Sequence, residues 1–280
     1  MKPTTAVIMA AGLGTRMLPV TAAVQKEMLP ILNRPVIDYT VADLVAAGIT
    51  RILFITRAGQ TGLKDYYQGN PPYIAALKRL GKTEVAKSLA AIHAQARFEF
   101  IEQSEDAGYG TAVPLITALP HLDPSETIIY CSGDDFVWRA DAKSEMTDFV
   151  TAYTAGDAEG ALMVTTVPAS ELTRYGVLAT NEQGSRHYLT SIADQPQPSQ
   201  APSRQANISK YILTPQLQRY ATATTPNPNG ELSITDALTS AATTHKILVH
   251  PISGTYLDTG TPAAWLGANR IVADSVLTKS

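Results

Sequence analysis

The sequence predicts an α/β fold with a mixed, mostly parallel central sheet and helices on both faces. Short apolar runs alternate with amphipathic segments over the first half of the chain, and strands that alternate with helices usually pair in parallel. The first run, Thr5–Ala10 (TAVIMA), is almost wholly apolar and predicts a strand buried on both faces. The second half is richer in strand patterns, which we expect to continue the same sheet.

The elements follow in order along the chain. The segment 51–56 (RILFIT) predicts a second buried strand, and Arg34-Pro35 opens a helix before it, because proline suits a first helical turn. Gly48 stands where the left-handed residue after this helix is wanted. Further strands are predicted at 97–102, 126–132, 161–167, 176–179, 187–193 and 208–213, a helix from near Gly110-Thr111, and a last helix from about Pro262.

Two polar stretches interrupt the second half of the chain without dividing it. Residues 195–206 (QPQPSQAPSRQA) and 224–230 (TTPNPNG) are rich in proline and polar residues and predict surface loops. Both are too short to separate two domains. We therefore predict one domain over residues 1–280.

The composition excludes several classes of protein. A net charge of −3 argues against a general nucleic-acid surface, which needs clustered lysine and arginine. Cys131 is the only cysteine, and the five histidines are scattered, so neither an intrachain disulfide nor a zinc site is expected. No segment approaches the ~18 apolar residues of a membrane span, and the apolar run at the N-terminus is too short for a secretion signal. We expect a soluble, cytoplasmic protein.

The segment 10–16 (AAGLGTR) follows the first predicted strand directly and carries the first sign of a ligand site. Gly12 and Gly14 let the backbone turn sharply and bring several N–H groups close to an anion. Arg16 and, a short loop later, Lys26 add positive charge. The arrangement is suited to holding a triphosphate, although two glycines alone are equally consistent with a plain tight turn.

Two other glycine motifs can be excluded by counting. A dinucleotide fingerprint needs a third glycine at the position of Met17, so that pattern fails. Gly81-Lys82-Thr83 resembles the end of a P-loop, but the first glycine of that motif falls at Ala76. It also follows a predicted helix at 74–80, where the P-loop requires a strand.

The longer run 10–19 (AAGLGTRMLP), followed by 26–30 (KEMLP), resembles the signature of the bacterial sugar-1-phosphate nucleotidyltransferases. The agreement extends over nearly the whole chain, through Gln103, Gly108 to Val113, Gly133-Asp134, Tyr175-Gly176-Val177, Asp194 with Pro196, Thr235-Asp236-Ala237 and Asp258. The resemblance is closest to the branch that uses UTP and glucose 1-phosphate. It implies a Rossmann-like nucleotidyltransferase domain that transfers UMP with the help of Mg²⁺ and releases pyrophosphate.

The resemblance also implies a role for each matching position. Arg16 and Lys26 would be catalytic, and Asp134 and Asp258 would hold the metal. The positions that match nucleotide-binding residues are Ala11, Gly12, Gly14, Thr15, Gln103 and Gly108. The positions expected at the sugar are Gly176, Asp194, Gln195 and Glu231.

Some of these roles have simpler alternatives in the sequence itself. Gly133-Asp134 ends an apolar strand, where α/β sheets bind ligands, yet an aspartate there also caps a turn. Asp258 precedes a predicted helix, and capping would be its ordinary role. We expect Asp135 to be structural. Glu231 is equally well explained as a solvated loop carboxylate.

Three departures from the family concern positive charge. Gln195 replaces the lysine that neutralises the phosphate of the sugar, and Ala22 and Ala107 also stand where the closest branch carries lysine. A charged hydrogen bond contributes roughly 1–2 kcal/mol more than a neutral one, so weaker binding of the sugar phosphate is expected. The alternatives are therefore dTTP or another hexose 1-phosphate as substrate, or a regulatory protein that binds nucleotide sugars. Relatives imply a homodimer or homotetramer.

Overall fold

A computed structural model describes residues 1–69 and 71–277 of the chain, which form thirteen strands and nine α-helices. The strands are β1 (Thr5–Ala10), β2 (Pro30–Ile31), β3 (Arg34–Pro35), β4 (Arg51–Arg57), β5 (Arg97–Gln103), β6 (Ile128–Ser132), β7 (Asp135–Trp138), β8 (Gly160–Thr166), β9 (Gly176–Gln183), β10 (Arg186–Asp194), β11 (Gln205–Leu213), β12 (Ile247–Pro251) and β13 (Thr255–Asp258). The helices are α1 (Val36–Ala46), α2 (Gly62–Gln68), α3 (Pro71–Arg79), α4 (Thr83–His93), α5 (Val113–Ala118), α6 (Glu145–Thr154), α7 (Pro215–Ala223), α8 (Ile234–Ala241) and α9 (Pro262–Leu277). None of the described helices is long and apolar enough to cross a bilayer.

Nine of the described strands form one sheet, in the order β5-β4-β1-β6-β11-β8-β12-β10-β9. The pairs β4–β5, β1–β4, β1–β6 and β8–β12 are parallel. The remaining neighbours are antiparallel because β10 and β11 run opposite to the other seven strands. The predicted mixed and mostly parallel sheet is therefore confirmed.

Both faces of this sheet are covered by helices, which confirms the second part of the predicted architecture. Leu115 of α5 and Leu217 of α7 pack in one cluster of buried apolar side chains, while Leu44 of α1 and Phe149 of α6 pack in another. Each such side chain, fully buried, contributes roughly 1.5–3 kcal/mol to the free energy of folding. The strands between the two layers are apolar on both faces for this reason.

The parallel strands bring two loops to one edge of the sheet. β1 and β6 are parallel neighbours, so the loops that follow Ala10 and Ser132 leave from the same edge. Beyond that edge β7 and β13 form a separate antiparallel ribbon. Phe136 and Leu257 of the ribbon are buried against Val272 of α9. Because β13 pairs with β7 and both pack against α9, the chain that follows β12 returns to the end of β6.

Two predicted helix starts are wrong by two or three residues. Arg34 and Pro35 pair with β2 as a short strand, with Pro35 in an extended conformation (ψ 143°), and α1 begins at Val36. The predicted start near Gly110-Thr111 is also early, because α5 begins at Val113. Its preceding segment is held extended by backbone hydrogen bonds to residues 231–232, with the Leu232 N–H donating to the Tyr109 carbonyl at 2.8 Å.

Other boundaries agree more closely with the predictions. β1 and α9 begin at the predicted residues, whereas the strand predicted at 126–132 begins two residues later, at Ile128. Gly48 has the left-handed conformation expected after α1, with φ 95°. The two predicted surface loops lie between β10 and β11 and between α7 and α8, but the first ends two residues earlier than predicted because β11 begins at Gln205.

Cys131 lies in the middle of β6, and we expect its thiol to be unreactive in the native protein. The side chain is fully buried, and burial raises its pKa to about 12, so the reactive thiolate is scarce at neutral pH. A colorimetric disulfide reagent should therefore release no signal in native buffer and one equivalent in concentrated urea. A full equivalent released within minutes from the native protein would contradict this burial.

Candidate active site

The glycine loop turns away from the sheet immediately after β1. Gly14 adopts a left-handed backbone conformation (φ 65°), which residues other than glycine rarely adopt. The Thr21 hydroxyl donates a hydrogen bond to the Gly14 carbonyl at 2.8 Å. At Gly12 a Cβ atom would lie 3.2 Å from Nζ of Lys26. The absence of a side chain there leaves the Lys26 ammonium close to the loop backbone, where Ala11 and Thr15 also lie.

Lys26 joins this loop to the end of β6. Its Nζ donates to Oδ2 of Asp134 at 2.7 Å and lies 3.7 Å from Oε1 of Glu27. Burial alone would lower the pKa of the Lys26 ammonium, but these two carboxylates outweigh it and raise the pKa above its ordinary value. Burial likewise opposes ionisation of Asp134, and Lys26 outweighs it to lower the pKa of Asp134. The pair is therefore charged at neutral pH.

Glu27 is a buried carboxyl group that the sequence analysis missed. Its side chain is inaccessible to solvent, and neither carboxyl oxygen has a hydrogen-bond partner among the described residues. Burial raises its pKa to about 7, against the opposing effect of Lys26. Lys26 thus faces one fully ionised carboxylate, that of Asp134, and one that is partly protonated near neutral pH.

The two aspartates predicted to hold a metal come together although more than a hundred residues separate them. Asp258 lies opposite Asp135 in the β7–β13 ribbon. The residue after it, Thr259, donates from its backbone N–H and its hydroxyl to the carbonyl of Asp134, at 3.3 and 2.6 Å. The backbone therefore holds residues 134 and 258 side by side at the edge where the glycine loop also lies.

Asp258 makes two contacts that orient its carboxylate. Its Oδ1 accepts from the Gly260 N–H at 2.8 Å, and its Oδ2 accepts from Nη2 of Arg174 at 3.0 Å. A Cβ atom on Gly260 would lie 2.7 Å from Nη2 of Arg16 and 3.0 Å from Oδ1 of Asp258. The space beside Gly260 is thus shared by Asp258 and the arginine of the glycine loop.

The donor chemistry at this edge fits Mg²⁺. The ion prefers oxygen ligands, usually takes one or two protein carboxylates and completes its octahedron with water and phosphate oxygens. Asp134 and Asp258 supply two carboxylates, each partly exposed (17% and 21% of the side chain). Within the described residues, no three histidine, cysteine, aspartate or glutamate side chains are grouped so that they could hold a metal ion. The pair Asp134 and Asp258 therefore differs from a closed structural metal site, which has four protein ligands.

A buried ion pair lies directly behind the two aspartates. Lys210 of β11 donates from Nζ to Oδ1 of Asp135, and both side chains are almost inaccessible to solvent. The Ser132 hydroxyl donates to the same oxygen at 2.6 Å, and the Tyr256 hydroxyl donates to Oδ2 at 3.0 Å. Burial opposes the charge of Lys210, but the Asp135 carboxylate outweighs it and raises the Lys210 pKa.

The network gives Asp135 the structural contacts expected of it, linking β6, β7, β11 and β13. Lys210 itself was missed by the sequence analysis. The available signal was a lysine within the mostly apolar run 208–213.

Two of the residues predicted to bind the nucleotide, Gln103 and Gly108, lie at and after the end of β5. Oε1 of Gln103 is buried and has no hydrogen-bond partner among the described residues. Such an acceptor is costly unless a ligand or water satisfies it. Gly108 follows in a left-handed conformation (φ 91°). Glu231 reaches this side of the site, where its Oε1 accepts from the backbone N–H of Thr111 at 3.3 Å.

The residues predicted to bind the sugar meet at the opposite end of the sheet. Gly176 and Asp194 are direct partners in the β9–β10 ladder. Gln195 follows with φ 42°, and its N–H donates to the Tyr175 carbonyl at 3.0 Å. A Cβ atom on Gly176 would lie 3.8 Å from Cγ2 of Thr235, at the start of α8. Glu231 contacts the Thr111 side, so the structure does not bring it into this group.

Arg174 is the third ionisable residue that the sequence analysis missed at this site, after Glu27 and Lys210. It lies next to the quoted motif Tyr175-Gly176-Val177, and its contact with Asp258 depends on the β7–β13 ribbon. Ala22 and Ala107 are exposed and supply no charge.

The chain is similar over most of its length to known proteins. A family model described as nucleotidyl transferase matches residues 5–275. The chain is 32% identical over 263 residues to a UTP–glucose-1-phosphate uridylyltransferase of Streptococcus pneumoniae serotype 4, covering 91% of this chain and 85% of that protein. A crystal structure of a UDP-glucose pyrophosphorylase complexed with UDP-glucose superposes with a TM-score of 0.86 at 26% identity, covering 97% of this chain and 99% of that one. A UTP-bound enzyme from Acinetobacter baumannii shares the fold (TM-score 0.87, 22% identity, 97% and 93% covered).

Proposed function

The chain belongs to the nucleotidyl transferase family, and from that premise we propose that it transfers UMP from UTP to glucose 1-phosphate in a Mg²⁺-dependent reaction. The products would be UDP-glucose and pyrophosphate. The names of its similar relatives support UTP and glucose 1-phosphate as the substrates.

One observation carries the proposal. Asp134 and Asp258 lie side by side at the sheet edge that also holds the glycine loop, and Lys26 and Arg16 lie against them. A pair of carboxylates beside two cations is what a site needs to hold a divalent ion and two phosphate groups at once. A plain tight turn at Gly12 and Gly14 does not require such a grouping.

The chemistry requires positioning and charge neutralisation. A phosphate oxygen of the sugar phosphate, already an anion near neutral pH, attacks the α-phosphorus of UTP. A new O–P bond forms as the bond to the β-phosphate oxygen breaks, and pyrophosphate leaves with the bonding electrons. No proton has to be removed, so no general base is needed. Cys131 cannot serve as a nucleophile because it is buried and its pKa is raised to about 12.

The acidic residues of the site would bind the metal ion, and the basic residues would stabilise the charge of the phosphates. Asp134 and Asp258 would hold Mg²⁺, which when bound neutralises charge on the reacting phosphates. Lys26, kept protonated by Asp134, would stabilise negative charge on the triphosphate. Arg16, whose guanidinium lies beside Gly260, would do the same for the departing pyrophosphate.

One end of the site would recognise the nucleotide base, and the other end would recognise the sugar phosphate. We propose that Gln103 and Gly108, with the loop backbone at Ala11 and Gly12, read the uracil edge. The unpaired Oε1 of Gln103 is an acceptor suited to a base N–H. Gly176 and Asp194 would contact the hexose, and the uncharged Gln195 would hold its phosphate less strongly than a lysine. The glycine-loop residues Gly14 and Thr15 would face the triphosphate.

We also propose that residues 1–280 act as one nucleotidyltransferase domain in the cytoplasm, as a homodimer or homotetramer. The single nine-stranded sheet takes its strands from both halves of the chain, which supports one domain. Glu231 is the remaining residue proposed for the sugar site, and its contact with Thr111 is an argument against that role.

A matrix of nucleotides and sugars tests the proposal. The purified protein would be given UTP, dTTP, ATP or GTP with several hexose 1-phosphates and Mg²⁺, and pyrophosphate release would be measured. We expect the highest kcat/KM with UTP and glucose 1-phosphate, and no turnover in excess EDTA. A clear preference for dTTP or another hexose phosphate would correct the substrates. No turnover in any pairing, combined with measurable binding of UDP-glucose, would replace catalysis by a regulatory binding function.

A further inference from the structure

Arg174 stands at the junction between the sugar residues and the paired aspartates. It ends a 3-10 helix (Ala169–Arg174) directly before Tyr175 and β9. Its Nη2 donates to Oδ2 of Asp258 at 3.0 Å and its Nη1 to Oε2 of Glu171 at 3.2 Å. Its guanidinium carbon lies 5.4 Å from the centre of the Tyr175 ring. These contacts fix its head while 45% of the side chain remains exposed to solvent.

The neighbours of Arg174 are the groups that a bound sugar phosphate would touch. Two residues along the chain, Gly176 pairs with Asp194. Tyr175 accepts a hydrogen bond from the backbone of Gln195 at 3.0 Å. On its other side Arg174 contacts Asp258, one of the two carboxylates at the centre of the site. The guanidinium therefore lies on the path between a hexose at Asp194 and the reacting centre.

Arg174 is a cation on the side of Asp258 where the residues predicted for the sugar lie. Lys26 is paired with Asp134 and Glu27, at the end of β6. Arg16 extends from the glycine loop to Gly260. Gln195 carries no charge, and a sugar phosphate brings about two negative charges into the site. A dianion placed between Asp194 and Asp258 without a cation would be strongly repelled by both carboxylates.

The guanidinium also has donors to spare. It presents five N–H donors in a planar fork, of which one on each terminal nitrogen is used by Glu171 and Asp258. The remaining donors can bind two phosphate oxygens, the geometry in which arginine binds phosphate best.

We propose that Arg174 binds the phosphate of the sugar 1-phosphate and holds it beside Asp258, a role that rests on the proposed nucleotidyl transfer. Asp258 and Glu171 orient the fork before substrate arrives. Arg174 supplies at this end of the site the positive charge that residue 195 does not supply.

Steady-state kinetics of three variants test the assignment. Arg174→Met removes the charge and keeps much of the stem, whereas Arg174→Lys keeps the charge and loses the fork. Glu171→Gln removes the other partner of Arg174 and leaves the guanidinium in place. Arg174→Met should raise the KM for glucose 1-phosphate ~10- to 100-fold, the range for one lost charged hydrogen bond, with the KM for UTP changed less than about twofold. Arg174→Lys should be intermediate, and Glu171→Gln, which weakens one contact that orients the fork but keeps the guanidinium, should raise the same KM less than Arg174→Lys does.

Two controls separate this role from a structural one. Arg219→Met removes an exposed arginine on α7 and should leave both KM values unchanged. Calorimetric titration with UTP in EDTA should give the same Kd for wild type and Arg174→Met, since the nucleotide end is intact. Equal rises of both KM values, or equal effects of Arg174→Met and Glu171→Gln, would overturn the assignment.

Failure of the proposed function gives a different result. A wild-type protein that transfers no nucleotide to any sugar phosphate refutes that function whatever Arg174 does. The assignment of Arg174 is then decided by calorimetric titration with glucose 1-phosphate. Weaker binding to Arg174→Met than to wild type supports it, and equal or undetectable binding to both overturns it.

Discussion

Replacing Asp134 with asparagine is expected to lower kcat by about two to four orders of magnitude while the protein remains folded. Asparagine has nearly the same size, but it removes the charge that would hold the divalent ion and that pairs with Lys26 at 2.7 Å. Charge stabilisation by a bound metal and its ligands accounts for several kcal/mol of a reaction barrier. The loss should be seen in initial rates of pyrophosphate release at saturating substrates.

Metal binding gives a second readout for the same variant. The electron paramagnetic resonance signal of free Mn²⁺ should broaden when the ion binds to the wild-type protein, and titration of this signal gives the Kd. The Asp134→Asn variant should have a Kd for Mn²⁺ at least ~10-fold higher. The exposed Asp65 on α2 provides the matched control, since Asp65→Asn should change neither rate nor metal affinity. A kcat for Asp134→Asn within threefold of wild type would remove Asp134 from the centre of the mechanism.

Replacing Lys210 with methionine is expected to lower the free energy of unfolding by about 3–5 kcal/mol, the usual cost of leaving one partner of a buried ion pair unpaired. The Asp135 carboxylate would then lie behind β7 with only Ser132 and Tyr256 as donors. Urea unfolding should show a lower midpoint with an unchanged slope. The comparison variant is Lys87→Met, which breaks the exposed pair with Glu84 and should cost less than about 1 kcal/mol.

A double variant separates loss of the pair from loss of packing. In Lys210→Met with Asp135→Asn the uncompensated charge is gone, so much of the lost stability should return. If the double variant is as unstable as the sum of the two single ones, the pair does not interact as the geometry implies. A midpoint for Lys210→Met equal to that of Lys87→Met would contradict the buried pair itself.

The sequence alone is sufficient to predict much of the fold because local patterns dictate it. The run Thr5–Ala10 is apolar at every position except Thr5, and Gly48 after α1 has a positive φ, which glycine adopts most easily. The helix starts at Val36 and Val113 were harder to place. The segment before Val113 pairs with residues 231–232, far along the chain, and the residues before Val36 form a short hairpin with β2. Helix preference alone carries no information about either pairing.

The candidate site also contains residues that motifs predict and residues that only tertiary contacts reveal. Asp134 and Asp258 were predicted from motifs, while their separation in sequence said nothing about distance. Their contact depends on the β7–β13 ribbon, a tertiary feature. Arg174 and Lys210 were missed because an arginine before a strand and a lysine within one are ordinary residues until their partners are known. Those partners, Asp258 and Asp135, both lie on the ribbon.

The position of the ribbon has a consequence for protein synthesis. The ribosome makes the glycine loop well before Asp258, which follows every strand of the large sheet in the chain. Until β13 has been made and has paired with β7, the carboxylate of Asp258 cannot lie beside Asp134. If the proposed transfer needs both aspartates, an unfinished polypeptide would consume no nucleotide.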